Sequence, residues 1–272
     1  MTKQSGWQLA SGSVAEAYER YLMATFCSAF AQEFVEVARP EAGERVLDVA
    51  CGTGAAARFA APLVGPTGRV VGLDLNAGMI SIARAKPQHD GVAIEWREGD
   101  AQSLPFPDAS FDLVCCHQGL QFFSDRRAAL REMRRVLVPS GRLALGVWRH
   151  LKHQPFYAAL IEALERYVSL ETAASLRAAF TLWSPADLRA LLGAAGFVDV
   201  HIRIRSRLTR YSSLEEFVPG YLSGTPMAGP VAALDEATRE ALIKYVCAQL
   251  SSYVDDDGMA APWESHLVTA HV

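Results

Sequence analysis

Val46-Leu47-Asp48-Val49-Ala50-Cys51-Gly52-Thr53-Gly54 carries an apolar, β-branched run into an acid and then into a turn with glycines two apart. Such a run is the pattern of a strand buried in a parallel sheet. Gly52 and Gly54 permit positive φ and lack the Cβ atoms that would hold a flat ligand away. Ala55, Ala56 and Ala57 then open a helix, so the stretch reads as a ligand cradle. Gly52-x-Gly54-x-x-Ala57 also satisfies the dinucleotide fingerprint G-x-G-x-x-G/A, which leaves a nicotinamide cofactor and other nucleotides open at this point.

Outward from the cradle, a second strand, Arg69 to Leu73, ends at Asp74, about twenty residues past the glycines, a spacing that suits a carboxylate gripping ribose hydroxyls. A third piece, Gly99-Asp100-Ala101-Gln102-Ser103-Leu104-Pro105-Phe106, follows a strand over Ala93 to Arg97 and leads into Asp108-Ala109-Ser110-Phe111-Asp112-Leu113-Val114. Asp-x-Ala-Cys-Gly-Thr-Gly, the acid after strand two, Gly-Asp-Ala-x-x-Leu-Pro-Phe, Ser-Phe-Asp-x-Val and Arg-Val-Leu-x-Pro-x-Gly together resemble the class I S-adenosylmethionine (SAM) methyltransferases. Within them they are most similar to the small-molecule, type 11 branch that includes the quinone-biosynthesis C-methyltransferases. The resemblance covers Arg45 to Trp148. It departs from the family at Ala50, where Gly is common, and at Ser140, in the usual Pro-Gly-Gly turn.

What the resemblance implies is specific. The cofactor would be S-adenosyl-L-methionine, with Ala50, Gly52 and Gly54 in the turn that meets its methionyl part and Asp48 orienting the ammonium. Asp74 would take the ribose hydroxyls, Leu75 and Met79 would flank adenine, and Asp100 and the Ala101 N–H would read its edge. The main chain at His117 would touch the amino-acid end. The implied fold is α/β, a doubly wound Rossmann-like, mostly parallel seven-stranded sheet with the last strand antiparallel, plus helical lid insertions.

Half of the 272 residues are apolar, enough for a sizeable core. A net charge of −4 opposes general nucleic-acid affinity, which requires a basic face. The five cysteines are odd in number and lack metal-ligand spacing, so neither a disulfide framework nor zinc is expected and the thiols read as reduced. Asp255-Asp256-Asp257 lacks the alternating spacing of a calcium loop and reads as a solvated turn. With no leader and no apolar run of about 20 residues, the expectation is a soluble, cytoplasmic protein with a small-molecule substrate and no membrane partner.

In chain order, helical spacing over Ser13 to Arg39 predicts two aromatic-rich helices that either pack on the sheet edge or also wall a pocket. The organisation expected is one methyltransferase domain: an N-terminal helical cap (1–39), a cofactor half (40–148), an insertion after strand five (149–181), a helix and strand six (182–209), a second insertion (210–261) and a final strand (262–272). Ser184-Pro185-Ala186-Asp187 is a strong helix start. Arg203, Arg205 and Arg207 alternate with Ile202, Ile204 and Leu208, the arrangement of a charge-protected edge strand.

Methyl transfer is an in-line displacement, and positioning alone supplies effective molarities of about 10⁵ M or more, so no catalytic triad is required. Candidate general bases are His117, past strand four, and His153, past strand five. Candidate substrate contacts are Gln118, Gln121, Trp148 and Tyr157. Two other classes stay open: a SAM-binding regulator without turnover, and an NAD(P)-dependent oxidoreductase, which would leave Asp48 and Gly99-Asp100-Ala101 without a task.

Overall fold

A computed structural model describes residues 12–87 and 92–272. Residues 1–11 of the expected cap lie outside the described residues. Strands and helices alternate from Arg45 onward: β1 (Arg45–Val49), α3 (Ala55–Val64), β2 (Arg69–Asp74), α4 (Ala77–Ala85), β3 (Ile94–Glu98), β4 (Phe111–His117), α5 (Arg126–Val136) and β5 (Leu137–Trp148). They are preceded by α1 (Gly12–Ala17) and α2 (Ser28–Ala38). After β5 come α6 (Pro155–Tyr167), α7 (Leu170–Arg177), α8 (Pro185–Ala194), β6 (Val198–Tyr211), α9 (Leu214–Ser223), α10 (Ala228–Ala232), α11 (Glu236–Gln249), β7 (Val254–Asp255) and β8 (Gly258–His271).

The sheet order is β3-β2-β1-β4-β5-β8-β6, with the two-residue β7 hairpinned onto β8. β1 pairs in parallel with β2 and with β4, so the order reverses between β1 and β4 and opens a crevice at their carboxyl ends. β8 runs antiparallel between β5 and β6, as the sequence implied. It begins at Gly258, earlier than the final strand expected from 262. Its first residues pair with the far end of β6, Tyr211 opposite Met259, a non-local register that local pattern does not reveal. β5 begins at Leu137, which pairs with Phe111 before the register shifts.

The two helices expected before the core form one uninterrupted helical run. α1 continues into a π-helical segment, Tyr18–Cys27, whose flanking residues Ala17 and Ser28 stay right-handed, and then into α2. Ser28 N–H closes onto the Met23 carbonyl, the i→i+5 bond of a π-helix. The wider turn, about 4.4 residues rather than 3.6, brings Tyr18, Leu22 and the pair Phe26–Cys27 onto one face.

Two apolar clusters flank the sheet, one built from residues such as Leu47, Leu130 and Leu188, the other from Val46, Ala57 and Val70. A third lies above the strand ends, where Leu22, Phe26 and Phe30 meet Phe156, Tyr157, Phe217, Tyr221 and Trp263. Ring stacking holds it together: Trp263 lies 4.4 Å from Phe26 and 5.3 Å from Phe156. The N-terminal helices and both insertions thus share one core over the carboxyl edge of the sheet. The cap of α8 matches its sequence signal, Ser184 Oγ accepting from Asp187 N–H, and Ser213 Oγ caps α9 in the same way by accepting from Glu216 N–H. Among the described residues no helix is long and apolar enough to cross a membrane, and no group of His, Cys, Asp or Glu is arranged to hold a metal.

Candidate functional site

Because β1, β2 and β4 end together, the residues that follow them converge on one cavity enclosing about 1430 Å³ of free space, its open mouth included. Asp48, Ala50 and Gly52 line it from the β1 turn, Asp74 and Leu75 from β2, Met79 from α4, and Asp100 and Ala101 from the loop after β3. His117 and Gln118 border it past β4, and Trp148 closes β5. Sequence reasoning named all of these. Overhead lie Tyr18, Phe26 and Cys27 of the π segment, Tyr157 of α6 and Tyr221 of α9. Of these five only Tyr157 had been singled out. The aromatic content of 13–39 was the available signal for the first three, but an α-helical period does not place them together.

Asp48 is fully enclosed. Its Oδ2 accepts the Ala57 N–H at 3.0 Å, while Oδ1 has no partner. Burial pushes its pKa up to about 7, and the nearby negative charge of Asp74 pushes the same way. Asp74 Oδ2 accepts the Gly52 N–H and Oδ1 the Asn76 N–H, both at 2.8 Å, and burial raises this carboxyl too. Asn76 then caps α4, Oδ1 accepting from Gly78 at 2.9 Å and Met79 at 3.2 Å. Asp100 Oδ1 accepts the Gln102 N–H at 2.8 Å. Two enclosed acids close together, one with an orphan oxygen, form a site that asks for a cation and for hydroxyl donors.

The two glycines of the turn do different things. Gly52, at φ +56, has open space where a Cβ would stand and lines the cavity. Gly54, at φ +90, does not border it; a Cβ there would strike the Trp96 ring at 2.2 Å. The same ring fills the space left by Gly72, its cross-strand neighbour. Gly54 therefore serves packing against Trp96, where the sequence reading had it clearing the ligand. Ala50, in the family's glycine position, adopts φ +56.

Several expected substrate-end residues are placed otherwise. His153 is not among the described residues that line the cavity; its Nδ1 lies 3.6 Å from Glu264. Gln121 is buried but donates to Gln118 Oε1 at 3.0 Å instead of lining the cavity. His117 stacks on Phe34 at 4.7 Å, and its ring lies where a side chain on Gly146 would stand. Its Nε2 has no partner, and burial lowers its pKa to about 4. A neutral, feebly basic imidazole is a poor general base near pH 7, so His117 lines the cavity with less basicity than a free imidazole would bring.

Residues 47–145 match the family model Methyltransf_11, a methyltransferase domain. The ubiquinone/menaquinone biosynthesis C-methyltransferase UbiE of Pseudomonas putida strain F1 is 45% identical over 113 residues, 41% of this chain and 44% of that enzyme. The chain thus spans less than half the length of the curated relatives it matches. In three dimensions it is similar to the YcgJ protein of Bacillus subtilis, with a TM-score of 0.60 at 20% identity over 89% of this chain and 98% of that one. Phosphoethanolamine N-methyltransferase 2 of Haemonchus contortus, crystallised with S-adenosyl-L-methionine, superposes with a TM-score of 0.60 at 19% identity, covering 96% of this chain and 57% of that one. These likenesses bear out the class I methyltransferase recognition and the mostly parallel Rossmann-like fold.

Proposed function

We propose that this chain, whose residues 47–145 carry a methyltransferase domain, transfers a methyl group from S-adenosyl-L-methionine to an oxygen, nitrogen or carbon nucleophile of a small, moderately apolar molecule. The observation that carries the reading is the orphan Oδ1 of Asp48 beside the doubly backbone-bonded carboxylate of Asp74, in one cavity with Gly52 and Asp100. Asp48 would hold the methionyl ammonium, Asp74 the ribose hydroxyls, and Asp100 with the Ala101 N–H the adenine edge. Leu75 and Met79 would flank the base.

When bound, the cofactor would supply an electrophilic methyl: an electron pair of the acceptor would form the new bond to carbon, the carbon–sulfur pair would stay on sulfur, and any proton the acceptor sheds would pass to bulk solvent outside the cavity. This chain contributes position and exclusion of solvent. The π segment, α6 and α9 roof the cavity with Phe26, Tyr157 and Tyr221, and β5 supplies Trp148. With His117 neutral and His153 not among the lining residues, alignment rather than proton abstraction is the protein's means of acceleration. The setting we infer is the cytoplasm.

Calorimetry decides it. SAM and S-adenosylhomocysteine should bind the wild type, and Asp74→Ala should weaken both about ten- to a hundredfold, the loss of charge-assisted hydrogen bonds. Unchanged affinity in that variant, or tight NAD binding by the wild type, would overturn the reading; labelled methyl transfer into a cell extract would identify the acceptor.

A further inference from the structure

β6 runs along one edge of the sheet for 14 residues, Val198–Tyr211, and among the described residues it pairs only with β8. Its outer row of backbone N–H and C=O groups therefore has no sheet partner, over a length well beyond that of an ordinary strand. No proline or glycine interrupts it, and its register irregularity lies at the start, between Val198 and His201. From His201 onward the pleat sorts the side chains onto two faces.

One face carries Arg203, Arg205 and Arg207. Glu33 of α2 takes Arg205 at 2.9 Å, whereas among the described residues no carboxylate pairs with Arg203 or Arg207, both of them exposed. On the other face Ile204 and Leu208 are 52% and 65% exposed and belong to none of the three apolar clusters. Trp183, 44% exposed, extends this apolar side: its carbonyl lies 2.8 Å from Nε2 of His266, the cross-strand neighbour of Ile204. The opposite edge of the sheet is different. β3 is five residues long, and its Glu95 is held by Arg69 at 2.6 Å and by Arg97.

Opposite charges and apolar pairs across neighbouring strands stabilise a sheet, and like charges directly opposite destabilise it. A second copy of this chain fits the edge badly. In any antiparallel two-fold pairing of β6 with itself centred between Arg203 and Arg207, an arginine faces an arginine. β3 of a second copy would bring an acid already paired with two arginines. A strand with free carboxylates on one face and apolar side chains on the other has none of these faults. We propose that β6 is a docking edge for an extended segment of a partner protein in which Asp or Glu alternates with apolar residues. The acids meet Arg203 and Arg207, and the apolar residues cover Ile204 and Leu208. None of these four residues lines the cofactor cavity, so docking is separable from methyl transfer.

Fluorescence anisotropy of the whole chain with capped, labelled heptapeptides tests this. A peptide alternating glutamate with valine should bind at least about tenfold more tightly than its lysine–valine counterpart, and than a peptide of the same residues arranged in two blocks. Two further glutamate–valine peptides carry N-methyl groups on alternate residues, one in each phase. One phase should abolish binding and the other retain it, because successive residues of a strand turn their N–H groups to opposite sides. Arg203→Glu/Arg207→Glu should weaken the glutamate peptide at least about tenfold and reverse the preference towards lysine, with an unchanged far-ultraviolet circular dichroism spectrum. The comparison of phases uses the wild type and needs no variant to fold. Equal binding in both phases, indifference to the sign of the peptide's charge, or no binding of the glutamate peptide would overturn the proposal. So would a wild-type dimer, read by sedimentation, that Leu208→Lys dissociates.

Discussion

The Ala57 N–H donates to Asp48 Oδ2 at 3.0 Å across the glycine turn and is the one hydrogen bond this buried carboxylate makes, its Oδ1 being left unpaired. The turn thereby stores an acid that is uncomfortable when ionised and empty-handed. Between its ordinary value of 3.8 and its folded value of about 7, the native state holds a proton that the unfolded chain has released. Stability from this group therefore falls as pH rises across that window, by on the order of 4 kcal/mol in full. Asp48→Asn should be as stable as wild type near pH 4 and more stable by pH 8, measured by denaturant unfolding at both. A gap that opens on acidification instead would contradict the assignment.

The same acid makes cofactor binding pH-dependent. A cationic ammonium beside Asp48 favours the ionised form, so binding releases a proton below about pH 7. SAM affinity should tighten from pH 5 to about pH 7, by up to about tenfold per pH unit, and then level off. Calorimetry in buffers of different ionisation enthalpy reads the released proton directly, and Asp48→Asn should abolish it.

Gly52→Ala and Gly54→Ala should part company. The first meets no protein atom and carries only the strain of positive φ, about 1 kcal/mol, so its main effect should be lost SAM affinity. The second drives a Cβ into Trp96 and should cost about 3 kcal/mol or more of stability, partly restored by Trp96→Leu. Thermal denaturation beside SAM titration separates the two; equal stability losses would be the wrong answer.

Ala50 holds a left-handed backbone at φ +56, and its Cβ lies 2.6 Å from where a side chain on Gly119 would begin. Ala50→Gly should stabilise the protein by about 1 kcal/mol. Gly119→Ala should be destabilising in the wild type and less so in the Ala50→Gly background, where one of its obstacles is gone. A double-mutant cycle measures that coupling, and additivity would exclude the contact.

His117, with a pKa lowered to about 4, stays neutral throughout the neutral range. Turnover plotted against pH should keep the same shape in His117→Asn as in wild type, whatever its height. Disappearance of a limb near pH 6.5 in the variant would reinstate the histidine as a base.

The acids of the cofactor half were legible because local pattern fixes them: strand, acid and glycine turn put Asp48, Asp74 and Asp100 at neighbouring strand ends. Caps such as Ser184 are equally local. Tyr18 and Tyr221 were not legible, since a face is defined only when the partner is known and since ten residues of π-helix change the period on which the face is read. His153 is not among the lining residues for a related reason. A position just past a strand reads as facing the crevice, whereas its ring turns toward Glu264 on the neighbouring β8. Gly54 carries the right letter for a reason no sequence states, the bulk of Trp96.

Among the described residues β6 has only β8 as a sheet neighbour, from Val198 opposite His271 to Tyr211 opposite Met259. On the ribosome, β6 and the α9 that follows it are therefore made before the strand that will seat them exists. The cofactor half, with its parallel strands already complete at Trp148, is able to assemble while the roof that carries Tyr221 is still waiting. Synthesis thus separates in time the half that grips the nucleotide from the half that roofs the acceptor. A truncation that removes β8 should leave β6 without a partner and the acceptor end without its roof.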